Sequence, residues 1–176
     1  MSKNNFFQLF VYGTLKRGHW NHNIYCRGAI SIEKAKVWGR LYEVVDAGYP
    51  VLEIPKKNIL AYGSNNPFLD LLIQKRCQQD LDNIPKLNFI EDANQKRNLS
   101  PWSIVHGELI CLSDPIAALF RLDELEEFFP HGYSAYQRIL TPVWIEGRVI
   151  AAWTYVGDMI LKEKIKFIPS GYWPEY

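Results

Sequence analysis

Phe10-Val11-Tyr12-Gly13-Thr14-Leu15-Lys16-Arg17-Gly18 is an apolar run that breaks into a glycine turn close to the start of the chain. Apolar and aromatic residues crowded ahead of a glycine predict a β-strand over residues 7–12 that ends in a sharp turn. A turn built on Gly13 can aim consecutive backbone N–H groups into one small concavity, where they hold a carboxylate or an oxyanion. A strand followed by a plain surface turn fits the same residues, and the local pattern is compatible with both.

Further strands follow. Val37, Gly39, Leu41 and Glu43 alternate with Trp38, Arg40, Tyr42 and Val44, a period of two that predicts a strand over 35–45. Asp46-Ala47-Gly48-Tyr49-Pro50 reads as the turn that closes it. Residues 104–112, 139–145 and 149–156 also read as strands, the last two joined by Glu146-Gly147, a hairpin signature. The polar stretch Lys16–Asn23 reads as a loop. Asp114 and Pro115 supply the N-cap and first-turn proline of a helix with Ile116, Leu119, Leu122 (or Phe120), Leu125 and Phe129 at helical spacing, ended by Pro130. Several strands with few helices and no repeat predict the α+β class, with the sheet able to close into a barrel.

Residues 56–103 differ in composition, being dense in Lys, Asn, Gln and Asp, and read as an insertion in a single domain spanning 1–176. Pro67 opens a predicted helix to about Leu81 with Phe68, Leu71, Leu72 and Lys75 on one face. The remainder to Ser100 reads as loop. Tyr62-Gly63-Ser64-Asn65 repeats the glycine pattern without an apolar strand before it, and reads as a turn. A pocket lid and an oligomer surface are both open as roles for the insertion.

Composition excludes several classes. With 20 Lys+Arg against 19 Asp+Glu, no field of one sign points to nucleic acid or an anionic membrane as partner. Cys26, Cys77 and Cys111 are widely spaced without a Cys-x-x-Cys pair, which suggests neither a disulfide framework nor a zinc site and fits a reducing cytoplasm. His19, His22, His106 and His131 lack the spacing of a hydrolytic metal site. No segment has the length of a signal peptide core or a membrane span. A soluble, unprocessed cytoplasmic protein without metal is expected.

The helix after Pro115 carries Asp123, Glu124, Glu126 and Glu127. A run of charge ordinarily faces solvent, and that reading is taken for Asp123, Glu124 and Glu127. Glu126 stands apart, at the edge of the apolar face, where it can point into a pocket. Partial burial and neighbouring negative charge would raise its pKa toward neutrality, as suits a general base or acid.

Val11-Tyr12-Gly13-Thr14-Leu15, Gly39-Arg40-Leu41-Tyr42, Leu122-Asp123-Glu124-Leu125-Glu126, Tyr136-Gln137-Arg138 and Ala152-Trp153-Thr154-Tyr155, in that order, resemble the γ-glutamylcyclotransferase-like family, which includes γ-glutamylamine cyclotransferase and the AIG2-like proteins. The likeness runs from residue 6 to about 158, except across the insertion. It implies a mixed β-barrel flanked by a few helices. It also implies a reaction without metal or organic cofactor, in which the α-amine of a small γ-glutamyl amine or peptide attacks its own γ-carbonyl, leaving 5-oxoproline and a free amine. By the resemblance Tyr12, Gly13, Thr14 and Leu15 form the backbone cradle, Glu126 is the catalytic base, Tyr136 is a pocket wall, and Arg138 is either structural, tethering an acidic neighbour, or part of the pocket. Glu127 departs from the family, where glycine commonly follows the catalytic glutamate, and places a second negative charge beside the base. The alternative is a non-catalytic module that binds a small anionic molecule in the same pocket, since likeness of fold does not fix function.

Overall fold

The computed structural model describes residues 6–83, 101–157 and 164–174. In chain order its elements are β1 (Phe7–Val11), α1 (Trp20–Tyr25), β2 (Ala29–Val44), β3 (Tyr49–Glu53), β4 (Ala61–Tyr62), α2 (Pro67–Asp82), β5 (Ser103–Leu112), α3 (Pro115–Leu125), β6 (Tyr136–Ile145), β7 (Arg148–Gly157) and β8 (Ile165–Phe167).

The opening strand lies in the middle of the sheet, antiparallel to β5 and parallel to β7, and is buried on both faces by two separate cores. Alternate side chains of β1 serve two different cores. Phe7, Leu9 and Val11 pack under the helices with Leu119, Leu122 and Trp153. Phe10 and the following Tyr12 pack on the opposite face with Val37, Leu41, Val105, Ile139 and Val143. Each such side chain removed from water contributes about 1.5–3 kcal/mol, which is why an almost unbroken apolar run is needed here.

Strands follow the order β3-β2-β5-β1-β7-β6-β4, and β2 also pairs with β6, Lys36 lying opposite Trp144. The mixed sheet therefore closes into a barrel-like ring at a single residue pair. The α+β class and the strands expected around 35–45, 104–112, 139–145 and 149–156 are present, β2 beginning earlier, at Ala29. Three short strands were not legible. Tyr49-Pro50 belongs to β3 rather than to the turn before it, β8 adds to the edge of β2, and β4 pairs with β6 through Ala61 opposite Leu140. A strand of two or three residues carries no period of its own, and its partner lies far along the chain.

Both prolines open helices as expected. Asn66 Oδ1 accepts from Phe68 N and Leu69 N, and Asp114 Oδ1 accepts from Ala117 N at 3.1 Å. α3 buries Ala118, Leu119 and Leu122 but ends at Leu125, so Phe129 is off the helix and exposed, while Phe128 takes the buried place. The expected face of α2 is not the one observed. Of the expected residues Leu71 alone packs against the core, Phe68, Leu72 and Lys75 are exposed, and the buried positions are Asp70, Gln74 and Leu81. Polar bonds select that face: Gln74 bonds Gln8 N and Phe6 O, and Gln78 accepts from Ala151 N and donates to Val149 O. A helix laid against backbone groups must satisfy them, and amide side chains do so where leucine cannot. The loop expected over 84–100 lies outside the described residues. No described helix is long and apolar enough to cross a membrane.

Candidate active site

A cleft of about 400 Å³ opens where β1 ends, and Tyr12, Gly13, Thr14, Leu15, Glu126 and Tyr136 all line it. Residues separated by more than a hundred positions meet because α3 returns across the end of β1. Its upper wall is the turn after the opening strand. Gly13 O accepts from Lys16 N at 3.0 Å, which closes that turn. Among the described residues no acceptor bonds the N–H groups of Gly13, Thr14 or Leu15, leaving them able to receive a ligand oxygen.

Glycine is required at 13 by a close approach. A Cβ there would lie 2.7 Å from Pro50 Cγ, and Pro50 of β3 is itself part of the cleft wall. The turn is braced from outside by α1, an element that the polar composition of 16–23 conceals. Asn21 Nδ2 donates to Thr14 Oγ1 at 2.9 Å, and His22 Nδ1 donates to Leu15 O at 2.8 Å. Asn21 also reaches the cleft.

Glu126 is the C-cap of α3. The chain leaves the helix through a Schellman closure, Phe128 N donating to Asp123 O at 2.9 Å and Glu127 N to Glu124 O at 3.3 Å, the two bonds that define this motif. Glu127 occupies its left-handed position with φ of 48°, a conformation that favours glycine. The motif turns the chain sharply just after Glu126 and leaves its carboxyl facing the cleft. Burial, and then the charge of Asp123, push the Glu126 carboxyl up to about 7. Tyr136 and Tyr12 are also raised, chiefly by burial; the Glu126 charge adds to both, and the neighbouring phenol of Tyr136 to Tyr12. The Tyr12 hydroxyl donates to Tyr155 O at 2.8 Å.

Arg138 is not in the cleft wall. It is fully buried beneath it, and the tethering role is the one its contacts describe. Its Nε donates to Asp123 Oδ1 at 2.9 Å and its Nη2 to Asp123 Oδ2 at 3.2 Å, while Nη1 donates to Asp70 Oδ2 at 2.8 Å. The rings of Phe128 and Trp153 lie 5.0 and 5.2 Å from its Cζ. Gly63 passes so close that a Cβ on it would stand 3.0 Å from Arg138 Cζ. Tyr62-Gly63-Ser64-Asn65 is thus no free turn: Gly63 N donates to Arg138 O and Ser64 O accepts from Arg138 Nη2.

Asp123 corrects the expectation of a solvated acidic face. It is held by Arg138 and by the Tyr155 hydroxyl, which donates to Oδ1 at 2.7 Å. Burial raises its pKa against the opposing pull of Arg138. Glu124 and Glu127 are exposed, as expected. The signal for the missed partner was in β6: an arginine directly ahead of the largely apolar run Ile139-Leu140-Thr141-Pro142-Val143, on a strand that this run buries, needs a buried counter-charge.

A family model described as γ-glutamyl cyclotransferase, AIG2-like, matches residues 9–66 and 96–175, and the chain belongs to that family. Comparison with curated proteins finds no match. Among solved structures, YkqA from Bacillus subtilis superposes with a TM-score of 0.52 at 17% identity, over 96% of this chain. The match spans only 39% of YkqA. An AIG2-like protein from Mus musculus gives 0.45 at 18% identity over 86% of this chain and 76% of its own. The uropathogenic E. coli-specific protein c4763 gives 0.47 at 15% identity, over 96% of this chain and 92% of its own.

Proposed function

We propose that this chain, as a member of the γ-glutamyl cyclotransferase, AIG2-like family, cyclises a small γ-glutamyl amine or peptide to 5-oxoproline and releases the amine. One observation carries the reading: a carboxyl raised to about 7 shares a cleft with a turn whose amides meet no acceptor among the described residues.

The substrate arrives with a protonated α-amine, which cannot attack. Glu126 in its carboxylate form accepts one proton, and the freed amine adds to the γ-carbonyl carbon of the same molecule. Because nucleophile and electrophile are already joined, the enzyme's part is to fold the substrate into a near-attack geometry and exclude competing conformers. As the C–N bond forms, the carbonyl oxygen becomes an oxyanion, and the amides at Gly13, Thr14 and Leu15 are placed to stabilise it. The Glu126 carboxyl returns its proton to the departing nitrogen, the regenerated carboxylate takes the extra proton from the ring nitrogen, and the oxyanion collapses as the bond from the γ-carbon to the departing nitrogen breaks; the amine takes that second proton from Glu126 and leaves in its ammonium form. A group with a pKa near 7 suits both directions of transfer. Tyr136 and Tyr49 form the wall against which the glutamyl chain folds.

A cytoplasmic setting belongs to the same proposal. The test is incubation with a panel of γ-glutamyl amines and peptides, reading 5-oxoproline. Turnover of at least one member is expected. Saturable binding without 5-oxoproline across the panel would favour the non-catalytic binding module.

A further inference from the structure

We infer that Asp70 is a positioning residue for the Glu126 carboxylate, acting through Arg138 and Asp123; the inference rests on the proposed role of Glu126 as base. Asp70 sits on α2, and residues 67–95 fall outside both segments that the family model matches. A part of the chain beyond the family's common pattern thus reaches the reacting carboxyl through two other side chains.

The first two links are direct ion pairs, and the third is the three-residue step along the helix end from Asp123 to Glu126. Asp70 and Arg138 are both fully buried and meet at 2.8 Å. The Asp70 carboxylate is further fixed by Ser64, whose hydroxyl donates at 2.8 Å and whose backbone N–H lies 3.1 and 3.2 Å from its two oxygens. The other side of the same guanidinium grips both oxygens of Asp123. Phe128 and Trp153 lie against the guanidinium, so water screens these charges poorly. Asp123 is three residues before Glu126, and the Schellman bond from Phe128 runs to its carbonyl.

Two carboxylates share one guanidinium, which leaves the cluster negative beneath the base. The other titratable groups at Glu126 are Glu127 on its own segment, Tyr12 after β1, Tyr49 of β3, Tyr136 of β6 and Tyr155 of β7. None of them is cationic, so among the described residues Arg138 is the positive charge on which the local balance depends. Removing the Asp70 charge lets Arg138 neutralise Asp123 one to one, weakening the negative field at Glu126 and strengthening the grip on the helix end. The Glu126 carboxyl should then titrate at lower pH.

The experiment is carbon-13 NMR of the full chain labelled at the glutamate carboxyl carbons, with the Glu126 signal assigned by its loss in Glu126→Gln. Asp70→Asn should lower the Glu126 midpoint by about half a pH unit or more. Asp70→Glu, which keeps the charge, should restore the wild-type midpoint. Leu81→Ala, on the same helix but apart from Arg138, should leave it unmoved while also weakening the fold. If Asp70→Asn does not fold, Asp70→Ser carries the same expectation. An unchanged Glu126 midpoint in a folded neutral variant, or an equal shift in Leu81→Ala, would overturn the inference. Failure of the proposed reaction is read separately, as no 5-oxoproline from the wild-type chain.

Discussion

Arg138 holds both carboxylate oxygens of Asp123, at 2.9 and 3.2 Å, one helical turn before Glu126. The end of α3 is therefore built on a buried cation that also carries Asp70. Breaking such a cluster from the cationic side leaves two desolvated carboxylates unpaired. Arg138→Met should cost about 3–5 kcal/mol of stability, read as a lowered urea midpoint. Arg138→Lys should recover little of that loss, since an ammonium cannot reproduce the bidentate fork.

Gly13→Ala should cost about 1–3 kcal/mol through overpacking, because the added methyl meets Pro50 Cγ at 2.7 Å. Pro50→Ala removes the atoms it meets. In a double-mutant cycle the pair should therefore be more stable than the sum of the single losses. Strict additivity would show that the close approach does not govern residue 13.

Glu127 holds a left-handed backbone at the helix end. Glu127→Gly should stabilise the chain by about 0.5–1 kcal/mol, the relief of the side-chain strain exceeding the extra freedom of glycine when unfolded. A drop in the urea midpoint of this variant would mean that the Glu127 side chain stabilises the fold by some other contact.

The raised Glu126 carboxyl makes a signed prediction for stability against pH. A carboxyl that titrates near 7 when folded and near 4.3 when unfolded binds its proton more tightly in the folded state. Its contribution is full below about pH 4 and is lost as pH rises through about 7. Glu126→Gln resembles the protonated form and escapes that loss. The variant should match wild type near pH 4 and exceed it at pH 8 by about 1–3 kcal/mol, the side chain being only partly buried. Equal stability at both pH values would place the Glu126 carboxyl in the ordinary range.

The ring of long strands was legible because each buries side chains at a period of two, and β1 announces its central place by being apolar on both faces. Both helix starts were legible from Asn66-Pro67 and Asp114-Pro115, whose capping is local. What was not legible depends on partners distant in sequence. Asp123 looked like one of three solvated carboxylates until Arg138 was placed beside it, and the amphipathic face of α2 was misassigned because Gln74 and Gln78 bond strand backbone. The resemblance named Tyr12, Gly13, Thr14, Leu15, Glu126 and Tyr136, and all six line one cleft. Pro50, Asn21 and Tyr49 join them only through the closure of the sheet and the hidden α1.

The most direct measurement is the rate of 5-oxoproline release by Glu126→Gln beside wild type at pH 8, on whichever γ-glutamyl substrate the panel identifies, with both proteins shown to be folded. A fall in kcat of about 100-fold or more is expected, the scale of a lost general base. Release at the wild-type rate by the folded variant would remove Glu126 from the chemistry.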